Sequence, residues 1–400
     1  MDFTYPPELD EFRNEIRAWL EQHLTGEFLE LGNGEDLGAD TWPLRCRWEQ
    51  EMGAGGWIGL EWPKAYGGRE VSAMESLVFA EEYARAGGPT RAGTFGEGLI
   101  GPTLVHFGSD MQKERFLGPI LRGEEIWCQG FSEPGAGSDL ASLSCRAVPD
   151  GDRWILNGQK VWSSNAHIAP WGFAICRTDV DVPKHAGMTA FLVPLQHDGV
   201  VVRGIRQMNG GASFNEVFFS DAVIPDEYRI GAVGDGWKVA LAVLSHERNS
   251  SGGSGRRGGD FNDLLGLAVA TGRTTDPLIR QGLARVYSRQ RVREWARFRA
   301  AASVRLGGSA GPEGSIGKLL WTNAMQEISA LASSMLGPAL TADTGEWGTY
   351  GWNDHVLGAP GYRIAGGSDE IQKNIIGERV LGLPGEPRVD RGVPFKLAPR

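Results

Sequence analysis

The chain has 400 residues, of which 41% are hydrophobic and 22% are charged, and its formal net charge is -10. This length predicts a large buried core and two or three domains. The acidic balance argues against a nucleic-acid partner, which would need a basic face. No stretch approaches the roughly 18 apolar residues of a membrane span, and no secretory leader is visible, so we expect a cytoplasmic protein.

The cysteines are predicted to be reduced thiols in the core. The four are Cys46, Cys128, Cys145 and Cys176. None of them forms a C-x-x-C pair, and no histidine cluster lies at metal-ligand spacing. We therefore expect neither a disulfide nor a metal site.

Residues 1–125 are predicted to form a helical domain. Apolar residues three to four positions apart mark one face of the first helix: Leu9, Phe12, Ile16, Leu20 and Leu24. A second helix is predicted from Met74 to Ala86. The spacing in the first helix is that of an amphipathic helix with one buried stripe.

Residues 126–235 have strand-forming sequence instead. Asn157-Gly158 lies between two β-prone runs, 153–156 and 159–162, and this pair predicts a hairpin because both residues tolerate positive φ. Further strands are predicted at Gly172 to Arg177, Thr189 to Leu195, Val200 to Ile205 and Glu216 to Phe219. Their spacing predicts a compact antiparallel sheet or barrel.

Helical periodicity returns in residues 236–400. One buried helix face is predicted from Trp321, Met325, Ile328, Leu331 and Met335. The Gly-rich insert at residues 249–260 cannot be a helix interior. A last helix is predicted at 368–381, with Ser368 as its N-cap and Asp369 and Glu370 in its first turn. The fold class is therefore α+β and multi-domain.

Two glycine patterns resemble nucleotide-binding loops, but we expect neither to bind a nucleotide. Gly96 to Gly101 matches G-x-G-x-x-G, yet Pro102 follows at once and no buried strand precedes it. Gly314 to Lys318 weakly resembles a phosphate loop, but Leu319 stands where a magnesium-binding Ser or Thr is needed.

Three other segments carry the functional signal. The loop Ser132 to Asp139 reads SEPGAGSD, and its small residues let a ligand approach the backbone closely. The strand Asn157 to Trp162 reads NGQKVW, and the C-terminal segment reads GGSDEIQKNIIGERVLGLP. In this combination the chain resembles the acyl-CoA dehydrogenase family over nearly its whole length.

The resemblance implies an N-terminal helical domain, a middle β-domain and a C-terminal four-helix bundle, with FAD between the β-domain and the bundle. By motif position, Gln129, Phe131 and Ser132 would touch the isoalloxazine ring. Ser138 would lie where the flavin and CoA meet.

Trp162 and Ser164 would cover the opposite flavin face, near the docking site of an electron-transfer flavoprotein. The implied reaction removes one hydrogen from each of the α and β carbons of an acyl-CoA thioester and gives a trans-2-enoyl-CoA. Hydrogen-bond donors placed where enolate charge develops lower the barrier. In the family these are a flavin ribityl hydroxyl and a backbone N–H of the final loop, here that of Gly366.

The catalytic base departs from the commonest family pattern. Most members carry it as a glutamate in the final loop, where this chain has Gly366. A few branches place it on an earlier helix, immediately before an arginine, and Glu247-Arg248 matches that arrangement. We predict Glu247 as the base, in a dry pocket that raises its pKa, and Arg248 as a residue that helps to hold the site. Glu370 is the alternative.

Two segments that normally contact the pyrophosphate and adenine end of FAD are also altered. The family's R-x-x-F-G is missing around Thr271 to Arg280, and its Q-x-L-G-G reads SMLGP at Ser334 to Pro338. A sister subunit in a heterotetramer could supply these contacts, as in bacterial members acting on sterol-derived CoA esters. A homo-oligomer could instead use Arg256 and Arg257 of the Gly-rich insert.

Two other functions compete with dehydrogenation. Some relatives are flavin monooxygenases, but these dispense with the base and remodel the Gly-rich loop. A catalytically inactive partner subunit is the second alternative; the loss of the loop glutamate at Gly366 favours it, and Glu247 opposes it. The same glycine leaves room near the α-carbon, so we expect a branched or ring-bearing acyl group.

Overall fold

The structure, a computed structural model, describes residues 5–31, 41–249, 259–305, 311–341 and 349–398, without the side chains of residues 247–249, 303–305 and 349–350. Arg256, Arg257 and most of the Gly-rich insert lie outside the described residues.

The described residues contain twelve α-helices. They are α1 Glu8–His23, α2 Glu27–Glu30, α3 Trp42–Ala54, α4 Ala73–Arg85, α5 Gly101–Phe107, α6 Asp110–Leu121, α7 Gly236–Asn249, α8 Phe261–Ala270, α9 Pro277–Arg305, α10 Gly314–Leu336, α11 Thr349–Tyr362 and α12 Asp369–Ile375. None of these described helices is long and apolar enough to cross a membrane.

Eight strands lie between α6 and α7. They are β1 Trp127–Gly130, β2 Arg146–Asp150, β3 Arg153–Ser164, β4 Trp171–Arg177, β5 Met188–Pro194, β6 Val200–Ile205, β7 Phe214–Pro225 and β8 Arg229–Ile230. The predicted order of helices, strands and helices is therefore confirmed.

The helices begin and end as the sequence signals predict. The apolar face of α1 is buried, and α4 begins at a capping box in which Ser72 and Glu75 bind each other's backbone N–H groups. Ser368 caps α12 by accepting a bond from the N–H of Ile371, and a π-helical turn, Ile376–Val380, continues that helix. On α10, Met325, Ile328 and Met335 are buried as predicted, whereas Trp321 and Leu331 are half-buried.

The strands form one sheet in the order β6-β7-β3-β2-β4-β5-β8, with β1 beside β4. Neighbouring strands are antiparallel, apart from the parallel pairings of β4 with β1 and with β2. A core of alternating inward side chains fills one side of the sheet and includes Leu156, Phe191, Val193, Phe219 and Ile224.

The hairpin predicted at Asn157-Gly158 is wrong. β3 runs unbroken through both residues, and the two-residue turn lies earlier, at 151–152, between β2 and β3. The Asn157 Nδ2 donates to Asp221 Oδ1 on β7 at 2.9 Å. A Cβ at position 158 would lie 2.7 Å from the Cα of Cys145, so close packing requires this glycine. The register with β7 shifts here, which makes the pair a bulge rather than a turn.

The chain divides into two compact units that do not follow chain order. One unit comprises Met1–Glu35, Ser72–Thr90 and Ser251–Gly385, and the other comprises Asp36–Val71, Arg91–Ser250 and Glu386–Arg400. In the first unit, α8, α9, α10 and α11 share one apolar core, as expected of a four-helix bundle. The second unit holds the whole sheet, together with α3, α5, α6 and α7.

The C-terminal tail belongs to the sheet-bearing unit. The N–H of Phe395 donates to the carbonyl of Val182 at 2.8 Å, and Lys184 Nζ pairs with Asp390 at 2.6 Å. The Arg177 guanidinium is buried and lies 3.9 Å from the centre of the Phe395 ring. The tail is thus fastened to the loop between β4 and β5.

The glycine pattern at Gly96 to Gly101 has a packing explanation, and the cysteines are thiols. Gly96–Ile100 is a π-helical turn that leads into α5, and a Cβ at Gly101 would lie 1.8 Å from the Trp62 ring. The four cysteines are free; Cys128, Cys145 and Cys176 are buried as predicted, whereas Cys46 is half-buried. Cys145 Sγ lies 3.8 Å from Cys176 Sγ.

Candidate active site

The Gly-rich loop Ser132–Asp139 follows β1 and turns back sharply. Glu133 and Ala136 exchange two backbone hydrogen bonds, each 3.0 Å long. A Cβ at Gly135 or Gly137 would meet no atom within 4 Å in the described part of the chain. Packing therefore does not require these glycines, and the outer face of the turn leaves room for a ligand against the backbone.

A buried ion pair fastens this loop to β3. Lys160 is fully buried, and its Nζ lies 2.8 Å from Glu133 Oε1. The same ammonium donates to the carbonyl oxygens of Phe131 at 3.2 Å and Ile175 at 2.6 Å. Each proton of the ammonium therefore has an acceptor, as a buried lysine requires.

The Glu133 carboxylate is charged because its hydrogen-bond partners outweigh the effect of burial. Burial favours its neutral form, but Lys160 and the N–H groups of Ser144 and Cys145 outweigh burial and hold the Glu133 pKa below its usual range. Those two N–H groups donate at 2.6 and 2.9 Å. Both oxygens of the carboxylate are thus satisfied, and the start of the loop has one orientation.

Trp162 occupies a strained and exposed position on β3. The pairing with β7 shifts between Lys160 and Ser163, which places Trp162 in a β-bulge with a φ of 62°. Its side chain is 57% exposed and touches Phe214 edge-on at 6.0 Å between ring centres. A bulge re-aims a side chain, and positive φ at a bulky residue costs on the order of 1–3 kcal/mol. Such strain is typical of a functional position.

The residues after Trp162 offer polar groups. The Ser163 hydroxyl is buried and has no hydrogen-bond partner among the residues that the structure describes. The Ser163 carbonyl accepts a bond from Asn215 Nδ2 at 3.0 Å, while Ser164 is half-buried. The exposed indole of Trp162 offers an open aromatic face, which fits a planar cofactor.

The first three predicted flavin-binding residues lie beside this strand. Gln129 is half-buried on β1, and Phe131 is buried with its ring 5.7 Å from that of Phe173. The Ser132 carbonyl accepts a bond from the N–H of Val161 at 2.9 Å. The structure therefore joins the loop start to the strand that carries Trp162 and Ser164.

Ser138 lies at the exposed far end of the same loop. The next residue, Asp139, accepts hydrogen bonds from Ser142 Oγ at 2.5 Å and from Lys184 Nζ at 2.9 Å. Those pairs lower the Asp139 pKa although partial burial opposes its charge. Both ends of the loop are thus anchored, and Ser138 is presented between them.

The predicted base lies near the C-terminal end of α7. The side chains of Glu247 and Arg248 lie outside the described residues, so their catalytic roles stay predictions. The preceding residue, His246, is half-buried, and its ring lies 6.4 Å from the ring of His106 on α5. Burial and the charge of His106 lower the His246 pKa.

The final loop belongs to the helical unit. Gly366 and Gly367 have φ values of 63° and 86°, which favour glycine. The Gln372 side-chain amide donates to the carbonyls of Gly366 at 3.1 Å and Gly367 at 3.2 Å. Glu370 is exposed on α12.

The sequence did not identify Lys318 as part of this loop. Its Nζ donates to the carbonyl oxygens of Tyr362 at 2.8 Å and Ala365 at 2.5 Å, with a longer contact to Gly367 at 3.4 Å. Lysine commonly binds the free carbonyls at a helix C-terminus, here that of α11. No local pattern links position 318 to that helix end.

The sequence also missed the Glu133–Lys160 pair, although a signal was present. Lys160 shares the alternation of Trp154 and Leu156, whose side chains are buried. A lysine on the inward face of a strand needs a buried partner.

Three family models match the chain. They are the acyl-CoA dehydrogenase N-terminal domain at residues 6–124, the middle domain at 128–222 and the C-terminal domain at 234–381. The chain therefore belongs to the acyl-CoA dehydrogenase family, whose members are FAD-dependent oxidoreductases. The predicted family, fold and cofactor are confirmed.

Curated relatives and solved structures agree. A Mycobacterium tuberculosis protein named acyl-CoA dehydrogenase IpdE1 is 43% identical over 392 residues, which cover 95% of this chain and 99% of the relative. The structure described as the Tcur3481-Tcur3483 steroid ACAD has a TM-score of 0.84 and 28% identity, covering 96% of this chain and 100% of that one. The ChsE4-ChsE5 complex from M. tuberculosis has a TM-score of 0.80 and 29% identity, with the same coverage.

Proposed function

We propose that this protein removes hydrogen from the α and β carbons of an acyl-CoA thioester and passes the electrons to an electron-transfer flavoprotein. The observation that carries the proposal is the buried Glu133–Lys160 pair. It joins the Gly-rich loop to the strand that presents Trp162, so that two family motifs form one surface.

The residues of this surface fit FAD. The open turn at Gly135 and Gly137 and the exposed indole of Trp162 both favour a flat ligand that packs closely against the protein surface. We assign Gln129, Phe131 and Ser132 to one side of the flavin, Trp162 and Ser164 to the other, and Ser138 to the point where the flavin and CoA meet. When bound, FAD supplies the acceptor for the hydrogen that leaves the β-carbon.

The chain's own residues handle the proton. Glu247 takes the α-proton, and Arg248 holds the site. The Gly366 N–H stabilises the thioester oxygen as negative charge develops there, which lowers the barrier to proton removal. Trp162 covers the flavin and excludes water.

The acyl group is a bulky one in this proposal. A glycine at 366 leaves the space that a loop glutamate takes up in most members. The similar structure described as a steroid ACAD supports a ring-bearing acyl group.

The assembly is a heterotetramer in this proposal. Two of the similar structures are named for two chains each. The altered segments at 271–280 and 334–338 would then be complemented by a sister subunit. The alternative, a homo-oligomer using Arg256 and Arg257, predicts full FAD content when the chain is expressed alone.

The domain division at 1–125, 126–235 and 236–400 and the cytoplasmic location also stay proposals.

The decisive experiment compares Glu247→Gln with Glu370→Gln. We expect Glu247→Gln to retain FAD but to lose anaerobic bleaching of the flavin by steroid-side-chain and branched acyl-CoA esters. Glu370→Gln is the matched control and should bleach normally. Near-normal bleaching in Glu247→Gln would reject the assigned base.

A second candidate is a non-catalytic partner subunit, which the glycine in place of the loop glutamate at position 366 favours and the presence of Glu247 opposes. This candidate predicts that no acyl-CoA bleaches the flavin through Glu247, whether the wild-type chain is alone or with its sister subunit. The same titration therefore separates the two functions.

A further inference from the structure

Lys318 is bound to the carbonyl side of the final loop. Its Nζ contacts the carbonyl of Tyr362, at the end of α11, and the carbonyl of Ala365, three residues further on. The Ala365 contact, at 2.5 Å, is shorter than the contacts to the Tyr362 and Gly367 carbonyls. A charge-assisted bond of that length fixes the direction of the carbonyl it binds.

The direction of the Ala365 carbonyl determines the direction of the next N–H. In a trans peptide, the C=O of one residue and the N–H of the following residue lie in one plane and point to opposite sides. Among the residues that the structure describes, which include Ala365 and Gly366, every peptide bond is trans. Because the Ala365 carbonyl points at Lys318 on α10, the Gly366 N–H points away from α10.

The contact between Lys318 and the Ala365 carbonyl also makes the Gly366 N–H a stronger hydrogen-bond donor. A cation bonded to a peptide oxygen draws electron density through the amide and makes its N–H a better hydrogen-bond donor. Gln372 holds the following carbonyl, that of Gly366, at 3.1 Å. The two peptide units on either side of Gly366 are therefore fixed by separate side chains, and only the first is bound by a full charge.

We infer that Lys318 is a positioning residue for the reaction, which aims and polarises the Gly366 N–H toward the thioester oxygen. This inference rests on the proposed role of that N–H. Lys318 itself does not touch the substrate. It acts through the Ala365–Gly366 peptide, and its effect grows as negative charge develops on the thioester oxygen.

The test uses three substitutions that separate orientation from charge. Lys318→Arg keeps the charge, Lys318→Gln keeps a donor without charge, and Lys318→Met keeps neither. The matched control is Lys373→Met, which removes an exposed lysine from α12 in the same unit. All variants are studied as full chains, loaded with FAD, in the assembly in which the wild type purifies.

The readout that does not depend on turnover is the enolisation of bound acetoacetyl-CoA. Its β-carbon is already a ketone and carries no hydrogen to transfer, so the ligand forms an enolate without being dehydrogenated. The pH at which half of the bound ligand is enolate reports how strongly the site stabilises charge on the thioester oxygen.

We expect Lys318→Met to raise this midpoint by about one pH unit, which is a tenfold loss of enolate stabilisation. Lys318→Gln should fall between Lys318→Met and the wild type, and Lys318→Arg and Lys373→Met should match the wild type. With a substrate that bleaches the flavin, kcat should fall roughly tenfold to a hundredfold in Lys318→Met while KM changes little, because the lost interaction strengthens in the transition state.

Unchanged enolisation in Lys318→Gln would overturn the inference, even if Lys318→Met does not fold. A midpoint in Lys318→Arg as high as that in Lys318→Gln would overturn the role of charge. Enolisation of acetoacetyl-CoA does not require Glu247 to act as the base. A Glu247→Gln variant that still bleaches would therefore reject the proposed mechanism but would leave the enolisation test of Lys318 intact.

Discussion

The buried ion pair beneath the Gly-rich loop can be tested with Lys160→Met. Methionine keeps most of the apolar stem but removes the ammonium. Glu133 is then left as a buried carboxylate without its cation, and the carbonyls of Phe131 and Ile175 lose a donor.

The magnitude follows from these contacts. Removing one partner of a buried ion pair costs about 3–5 kcal/mol. The Ser144 and Cys145 N–H groups still bind the carboxylate, so we take the lower end of that range. A loss of about 3 kcal/mol corresponds to roughly a hundredfold increase in local opening.

Native-state hydrogen exchange measures this opening directly. The amide of Cys145 donates to Glu133, so its exchange rate should rise about a hundredfold in Lys160→Met. Adding Glu133→Gln should recover more than half of the loss, because no unpaired charge then stays buried. Lys113→Met, at a half-buried lysine near the Tyr66 ring, is the control and should change little. Unchanged exchange in Lys160→Met, or a double variant worse than the single one, would refute the reasoning.

Three further predictions concern strain, packing and pH. Trp162→Gly should stabilise the apoprotein by about 1 kcal/mol, because glycine tolerates positive φ. The same variant should bind FAD more weakly in a flavin titration, and an FAD affinity equal to that of the wild type would contradict the cofactor role of Trp162. Gly158→Ala should lower the melting temperature, because its Cβ would lie 2.7 Å from Cys145, whereas Gly135→Ala should not, since its Cβ meets open space. Burial opposes the charge of Glu82, but three arginines outweigh it and lower the Glu82 pKa from 4.5 to about 2. The charged Glu82 therefore contributes its full stabilisation of the folded protein above pH 4.5, and this contribution is lost as the pH falls through 2. In Glu82→Gln, acid unfolding followed by circular dichroism should show no such pH-dependent loss.

The fold could be predicted where burial leaves a local pattern. The apolar stripe of α1 and the runs that form β4, β5 and β6 follow from spacing alone. The hairpin prediction at Asn157-Gly158 was wrong because Asn-Gly is a typical turn sequence. Its asparagine is needed to bind Asp221 and its glycine to admit Cys145, and neither contact is visible in the neighbouring sequence.

The candidate site could be predicted where the family motifs are continuous. The loop at 132–139 and the strand ending at Trp162 were found in this way, and the structure brings them together. Lys318 could not be found, because its partners lie at the end of α11 and in the loop after it, 44 and 47 residues further along the chain. The Glu247 assignment is still a prediction that rests on motif position.

The C-terminal tail has a consequence for how the protein matures during synthesis. Arg177 donates to the carbonyls of Ala141 and Leu143, directly after the Gly-rich loop, and its other face is covered by Phe395. Until Phe395 has left the ribosome, this arginine lacks its aromatic cover. A nascent chain therefore completes the packing around Arg177 only after the whole of its helical unit has been translated.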